Sequence, residues 1–378
     1  EAGYDTAYVG KWHLYGGSGP PLMKRPVPRD HQGRWHKWLG FEFRNSHFDS
    51  VYFEDDDPTP RPLEPYQTDG CFSVAMDYLR DRPQPEKPFC CVVSVEPPHP
   101  PYEAPAELEE KWLQRDLDLP PNFMVSSEQE NSRINNVRQV SQDDREAVLR
   151  QRQIYYAMVK NMDQNVGRMN AFLKEQRLDE STIIVFLSDH GELGGAHGLR
   201  NKQLPYEESA GIPLIASGAG IPAGRVIDEP TCTEDFFPTL CGLAGISPRD
   251  NLPGEDLSPL IRGEKDHLNR DGVMLEFVME LRPTMQLFNQ SWRAFRSQRY
   301  KYTVIGSNEG MQPWQFFDLE VDPYELNNLI DSAEHESLIR QHHEMLRNRM
   351  KETGDHAWLV GAFGTEPLNA WVPCHIGG

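Results

Sequence analysis

Three short apolar runs of this chain end in polar residues that could do chemistry. Thr6-Ala7-Tyr8-Val9-Gly10 leads into Lys11, Trp12 and His13. The run from Pro88 to Val95 leads into Glu96-Pro97-Pro98-His99, and Thr182 to Leu187 leads into Ser188-Asp189-His190-Gly191-Glu192. Asp189 and His190 offer one carboxylate oxygen and one imidazole nitrogen for a divalent cation. Two ligands do not complete a site, since most metals take about four or more and calcium roughly 6–8 oxygens. The same two residues would equally serve as a turn cap and a loop histidine. Lys11 and Lys202 can clamp an anion or simply carry solvated charge. His13, His99 and His197 can donate protons near neutral pH or act as structural hydrogen-bonders. Taken together, these residue types suit a metal-assisted site for an anionic ester.

The elements that must position them read as α/β. The second and third runs are continuous rather than alternating, which suits strands covered on both faces of a parallel sheet. Ile212 to Ala216 fits a fourth strand, with Pro213 at its start. Apolar residues at Tyr155, Val159, Met162, Val166, Met169 and Leu173 predict a crossover helix into the third run, with Ser141 and Asp144 as its capping box. Thr233 should cap a short helix ending near Gly245. In such sheets, ligands bind beyond the carboxyl ends of the strands, so the three polar endings are expected to converge. After about residue 268 the pattern changes to short strands followed by a helix bearing Leu338, His342, Met345, Leu346 and Met350, an antiparallel sheet with a packed helix. The expected domains are therefore 1–268, α/β, and 269–378, a smaller α+β subdomain.

Residues 18 to 66, rich in Pro, Arg, His and Trp, look like a long inserted loop. Arg34, Trp35 and Trp38 within it could hold a sugar by stacking and ion pairing, or the two tryptophans could anchor the loop to the core.

Composition excludes several classes. With 38% hydrophobic and 25% charged residues the chain can build a core, so wholesale disorder is not expected. A net charge of −20 argues against general nucleic-acid binding and requires any anion site to carry its own cations. No apolar run approaches the ~18 residues of a membrane span. The six cysteines show neither zinc spacing nor a dense disulfide pattern, and Cys90 and Cys91 sit in an apolar run as expected of buried thiols. The chain starts at Glu1 with no visible signal peptide, so its first residues say nothing about export.

The ordered motifs resemble the type I, formylglycine-dependent sulfatases. Gly3-Tyr4-Asp5-Thr6 through Gly10-Lys11-Trp12-His13-Leu14 is similar to that family's second signature. Ser188-Asp189-His190-Gly191-Glu192, His197-Gly198-Leu199 and Lys202 are similar to its metal-and-lysine segment. Tyr206-Glu207-Glu208-Ser209, Thr233 to Leu240, Arg293-Ala294-Phe295-Arg296, Tyr300-Lys301-Tyr302 and Phe317-Asp318-Leu319 follow in the family's order. The resemblance implies an alkaline-phosphatase-like fold with a mostly parallel sheet flanked by helices and hydrolysis of a sulfate ester, a sulfated carbohydrate being one candidate. It implies Asp189 and His190 as ligands of Ca2+ or, given the nitrogen, Mn2+ or another divalent metal. Lys11 and Lys202 would hold sulfuryl oxygens, His13 would support the formylglycine, and His99 would protonate the leaving alcohol. Family habit points to the periplasm, lysosome or exterior; oligomeric state is not readable.

One part of the pattern is missing. No C/S-x-P-x-R precursor of formylglycine occurs in the 378 residues, and neither do the paired aspartates expected before it. The expectation is a sulfatase chain without its nucleophile segment, inactive alone. The alternatives are a phosphonate monoester or phosphodiester hydrolase of the same superfamily, and a non-catalytic relative.

Overall fold

The computed structural model describes residues 2–16, 25–123, 142–278, 290–307 and 310–355, with 357, 359, 362, 363 and 368 beyond them. Ser141, expected to pair with Asp144 as a cap, lies outside these residues. The chain forms two compact units, one from 1–118 and 146–182, the other from 119–145 and 183–378.

The first unit is built on a five-stranded sheet of order β4-β3-β2-β1-β5. Its strands are β1 (Asp5–Lys11), β2 (Lys37–Phe41), β3 (Val51–Glu54), β4 (Asp57–Pro62) and β5 (Phe89–Ser94). β1 runs parallel to both neighbours, with Val9 opposite Leu39 on one side and Val93 on the other. β3 and β4 add antiparallel strands. Alternation sorts the side chains. Val9, Leu39 and Phe41 face a core shared with Cys71 and Ala75 of α1 (Gln67–Arg80). Tyr8, Trp38 and Phe53 face the opposite side.

Residues 18 to 66 are therefore not an inserted loop, because they contain β2, β3 and β4. Their Pro and Arg content hid the strands. Pro58, Pro60 and Pro62 fall in β4, the edge strand, where a missing N–H is tolerated.

After α2 (Ala106–Leu113), α3 (Arg145–Glu175) is the expected long helix, but with a different buried face. Ile154, Ala157, Met158, Asn161, Asn165 and Phe172 are buried; of the expected stripe Leu173 is buried but Val159 is exposed. The two asparagines belong inside because both donate to Asp69 Oδ1 of α1, at 3.1 and 2.7 Å. An apolar count does not register buried polar residues that are satisfied this way.

In the second unit β6 (Ile183–Leu187) pairs with β7 (Leu214–Gly218). The pairing is antiparallel, so the Ile212–Ala216 run is not the parallel strand expected. Between them lies α4 (Glu207–Ala210); α5 (Phe236–Leu243) and α6 (Ser258–Arg262) follow. The turn before α5 is capped by Cys232 rather than Thr233, with Asp235 Oδ2 accepting from the Cys232 N–H at 2.9 Å.

The antiparallel sheet expected near the C-terminus starts at Gly272. β8 (Gly272–Phe277), β9 (Trp292–Ser297), β10 (Tyr300–Ser307) and β11 (Gly310–Asp318) pair in sequence order. One face, with Tyr302, Val304 and Phe316, packs against Ile339, Leu346 and Met350 of α7 (Glu336–Thr353). The other, with Trp292, Ala294 and Phe317, packs against Leu193, Leu199, Leu204 and Tyr206. The loop bearing Lys202 is thus held against a sheet.

Candidate active site

In the first unit the site begins where β1 ends. Trp12 N–H bonds to Phe41 O at 2.7 Å and His13 N–H to Glu42 O at 2.9 Å, so β1's pairing with β2 continues past Lys11. The Tyr8 hydroxyl donates to the Lys11 carbonyl, and burial raises that phenol to about 12. Glu42, itself buried, accepts from the N–H groups of Tyr15 and Gly16 at 3.3 and 3.0 Å and so holds the chain after His13. His13 is exposed, with its ring 5.5 Å from Phe43.

Adjacent β5 delivers His99. Because β1 and β5 are parallel neighbours, Lys11 and the Glu96–His99 segment leave the same end of the sheet. Lys11 Nζ lies 3.6 Å from Glu96 Oε1. His99 N–H donates to Glu96 O at 3.0 Å, and His99 Nδ1 lies 2.7 Å from Pro100 O. That carbonyl makes Nδ1 the protonated nitrogen, fixes the ring and directs proton exchange to Nε2.

Of the expected sugar contacts, Trp38 is corrected by its burial: at 0% exposure it is a core residue of β2 and has no surface to offer a ligand. Trp35 is half-buried against Tyr8, 5.5 Å between rings, and Arg34 is exposed. The Cys90–Cys91 pair lies on β5, and burial pushes the Cys91 thiol up to about 12, as suits a structural thiol.

In the second unit Asp189 and His190 follow β6 directly. Gly191 permits the turn: its N–H bonds to Ser209 O, and a Cβ there would sit 2.1 Å from Glu208 O. His190 Nδ1 lies 2.8 Å from Gly191 O, which leaves Nε2 as the lone-pair nitrogen, 3.5 Å from Asp189 Oδ2. The Asp189 side chain is 83% exposed. An anchored imidazole beside an accessible carboxylate is a donor set that fits a divalent cation.

Lys202 rides on the loop that follows. Glu192 Oε1 accepts from Gly194 N–H at 3.2 Å and Asn201 N–H at 2.7 Å, closing the loop on itself. Trp292 Nε1–H of β9 donates to Gln203 O at 2.7 Å. Asn201 and Gln203, on either side of Lys202, both have left-handed φ, +71° and +85°. Such backbone persists only where its surroundings over-determine it.

His197, the other histidine considered, is buried and stacked on Tyr206 at 3.7 Å. With Glu208 and Glu325 it forms the one trio of ligand-type side chains within 4.8 Å of one another among the described residues. Its ligand types could hold a cation, but donors already fill the place. Asn122 Nδ2 lies 2.6 Å from Glu208 Oε1 and 3.0 Å from His197 Nε2, and Lys301 Nζ lies 2.6 Å from Glu325 Oε1. Burial pushes the Glu325 carboxyl up to about 7 against the pull of Lys301. Burial lowers the Lys301 amine, but Glu325 and Glu207 more than reverse this and leave it raised. We read the cluster as an ion network tying α4 to the C-terminal sheet.

Sequence reasoning gave no role to Glu96 or Glu192, which it met only as parts of strand endings, and passed over Glu42 and Gln67. The only signal for Glu96 was its place, an acid that ends an apolar strand just before Pro-Pro-His.

Comparison with known proteins places the chain in a family. Residues 1–246 match the sulfatase family model, and residues 195–352 match the C-terminal model of N-sulphoglucosamine sulphohydrolase. The protein belongs to the sulfatase family. It is 31% identical over 359 residues to an ulvan-active sulfatase of Formosa agariphila, covering 93% of this chain and 65% of that protein. It is also 31% identical to an arylsulfatase of Clostridium perfringens, covering 72% of this chain and 56% of that one. The chain thus spans somewhat under two thirds of the length of these relatives. Among solved structures, a sulfatase from Bacteroides fragilis superposes with a TM-score of 0.78 at 24% identity, covering 93% of this chain and 75% of that one. A second, solved with its substrate D-glucosamine-2-N,6-O-disulfate, gives 0.77 at 20% identity, covering 94% and 81%. Both share the α/β fold with its C-terminal antiparallel sheet.

Proposed function

We propose that the protein serves hydrolysis of a carbohydrate sulfate ester, R–O–SO3⁻ + H2O giving R–OH and hydrogen sulfate. The observation that carries this reading is the pairing of parallel β1 and β5, which sets Lys11 and the His99 segment at one end of one sheet. In the second unit Asp189 and His190 follow β6 directly, and Lys202 lies on its braced loop. A sugar as substrate is favoured by the relatives' names, which include the ulvan-active enzyme, an endo-4-O-sulfatase and an N-acetylglucosamine-6-O-sulfatase, and by the disulfated glucosamine bound in one structural neighbour.

The roles follow from charge. The ester already carries one negative charge, and more builds on the bridging oxygen as the S–O bond breaks. Lys11 and Lys202 neutralise sulfuryl oxygens. His99, its Nδ1 held by Pro100 O, gives the Nε2 proton to the departing alcohol. His13 lies two residues past Lys11, where it can orient the attacking group. Asp189 and His190 would hold a divalent metal, Ca2+ or Mn2+, which when bound polarises a sulfuryl oxygen. Arg34 and Trp35 remain proposed sugar contacts. The family's formylglycine precursor does not occur in these 378 residues, so turnover by this chain alone is not expected.

Calorimetric titration of the chain with a sulfated glucosamine and its desulfated counterpart tests the reading. We expect binding that depends on sulfate and falls at least ~10-fold in Lys11→Ala, the loss of one charge-assisted contact. Equal affinity for the two sugars would reject it. Stronger binding of an aryl phosphonate monoester than of the aryl sulfate would transfer the site to phosphorus chemistry.

A further inference from the structure

Glu96 collects more of the first unit's site than any motif suggested. Its side chain is 0% exposed, while that of Lys11, 3.6 Å away, is 17% exposed. The carboxylate receives Arg44 N–H on Oε1 and Asn45 N–H on Oε2, both at 3.2 Å, and Gln67 Nε2–H on Oε2 at 3.0 Å. Gln67 answers in the other direction, its Oε1 accepting Glu96 N–H at 3.0 Å. The Glu96 carbonyl takes His99 N–H, and His47 Nε2 meets His99 O at 2.9 Å. One residue therefore joins the end of β1, the turn between β2 and β3, the start of α1 and the segment carrying His99.

We infer that Glu96 is the positioning residue of this half of the site: its carboxylate selects one placement of the Lys11 ammonium, and its backbone sets the turn that presents His99. This rests on the sulfuryl-binding reading above. The physical argument is that lysine is a point charge on a flexible four-carbon stem, so its position must be imposed from outside. A buried carboxylate with three N–H donors is itself rigid, and its charge needs a cation beside it. Lys11 lies closest as an ion pair, with the Arg44 guanidinium also feeling the Glu96 charge, and the pairing leaves the ammonium at the sheet end where β1 and β5 stop. A carboxylate there also makes the place selective. It orients the lysine while repelling any anion that approaches past it, so a sulfate is confined to the far side of the ammonium.

The test is the rate of reductive methylation of Lys11 with formaldehyde and cyanoborohydride, followed by peptide mass mapping of the full chain. An amine held against a carboxylate reacts slowly. Expected is an order of rates wild type, then Glu96→Asp, then Glu96→Gln, the last several-fold faster than the first, with melting temperatures checked for each. Equal rates in every variant that remains folded would overturn the role of Glu96. Should Glu96→Gln not fold, Glu96→Asp decides alone, because its charge is retained but withdrawn by one methylene. Inorganic sulfate provides the separate control: it should slow Lys11 methylation in the wild type. Failure of that protection would strike the sulfuryl-site reading, whereas unchanged rates in the variants would strike only the positioning by Glu96.

Discussion

Gly10, one residue before Lys11, is fixed by an atom it lacks. Its φ is +104°, and a Cβ there would lie 2.0 Å from Ser94 O and 2.9 Å from Ser94 C on β5. The neighbour is backbone, so nothing can swing aside. Gly10→Ala must push β1 off β5 or abandon the dihedral, and either change moves Lys11 relative to the His99 segment. We expect a loss of about 3 kcal/mol or more in urea unfolding, from overpacking and left-handed strain together. A wild-type midpoint in the alanine variant would contradict this account of the strand pair. At this scale the sequence was informative about groups that do chemistry and silent about groups that hold them. Lys11, His99, Asp189, His190 and Lys202 stand at strand ends or in a loop, where spacing makes them conspicuous. Glu96 and Glu192 look like ordinary surface acids until the amides that surround them are seen.

The element that best separates what sequence shows from what it hides is α7. Its stripe was legible, since Leu346 and Met350 recur at helical spacing and are buried. The chemistry of His343 was not, because only the fold places it against β10. Its Nδ1 lies 2.8 Å from the Tyr302 hydroxyl, and its buried Nε2 meets no hydrogen-bond partner among the described residues. Burial, with Arg347 nearby, lowers the imidazole from 6.5 to about 4. The folded state therefore refuses a proton that the unfolded chain accepts, and stability falls as pH drops from about 6.5 towards 4. The full effect is about 3 kcal/mol. His343→Gln keeps an acceptor for Tyr302 and removes the titration. Urea melts at pH 7 and 4.5 should show an acid-side loss smaller by roughly 2 kcal/mol than in the wild type. His342, also lowered by burial, accounts for part of what remains. An identical loss in both proteins would assign the acid limb elsewhere. The strands show the same division. β1, β5 and β6 were visible as apolar runs, while β2 and β3 were obscured by the Pro- and Arg-rich sequence around them and β4 by its own prolines. The antiparallel sense of β7 could not be read, because strand direction depends on a partner and not on composition.

Over the whole molecule, charge sets the terms on which the proposed anionic sugar would arrive. The chain has 58 acidic and 38 basic side chains, net −20. At about 0.01 M salt the Debye length is roughly 30 Å, so a sulfated ligand feels the excess carboxylates of a large part of the surface. At about 0.15 M it shrinks to roughly 8 Å, and only groups near the ligand count, Lys11 and Lys202 among them on our reading. The association rate should therefore rise as salt increases from 0.01 to 0.15 M, by a few-fold, as the repulsive far field is screened. Above that range it should level off or fall as the local ion pairs are screened in turn. A basic glycan-binding surface does the opposite and loses affinity with the first added salt. Stopped-flow measurement with a sulfated oligosaccharide across this range distinguishes the two. A monotonic fall from the lowest salt would mean that a positive field dominates at the binding surface despite the net charge, and that more than the named lysines receives the sulfate.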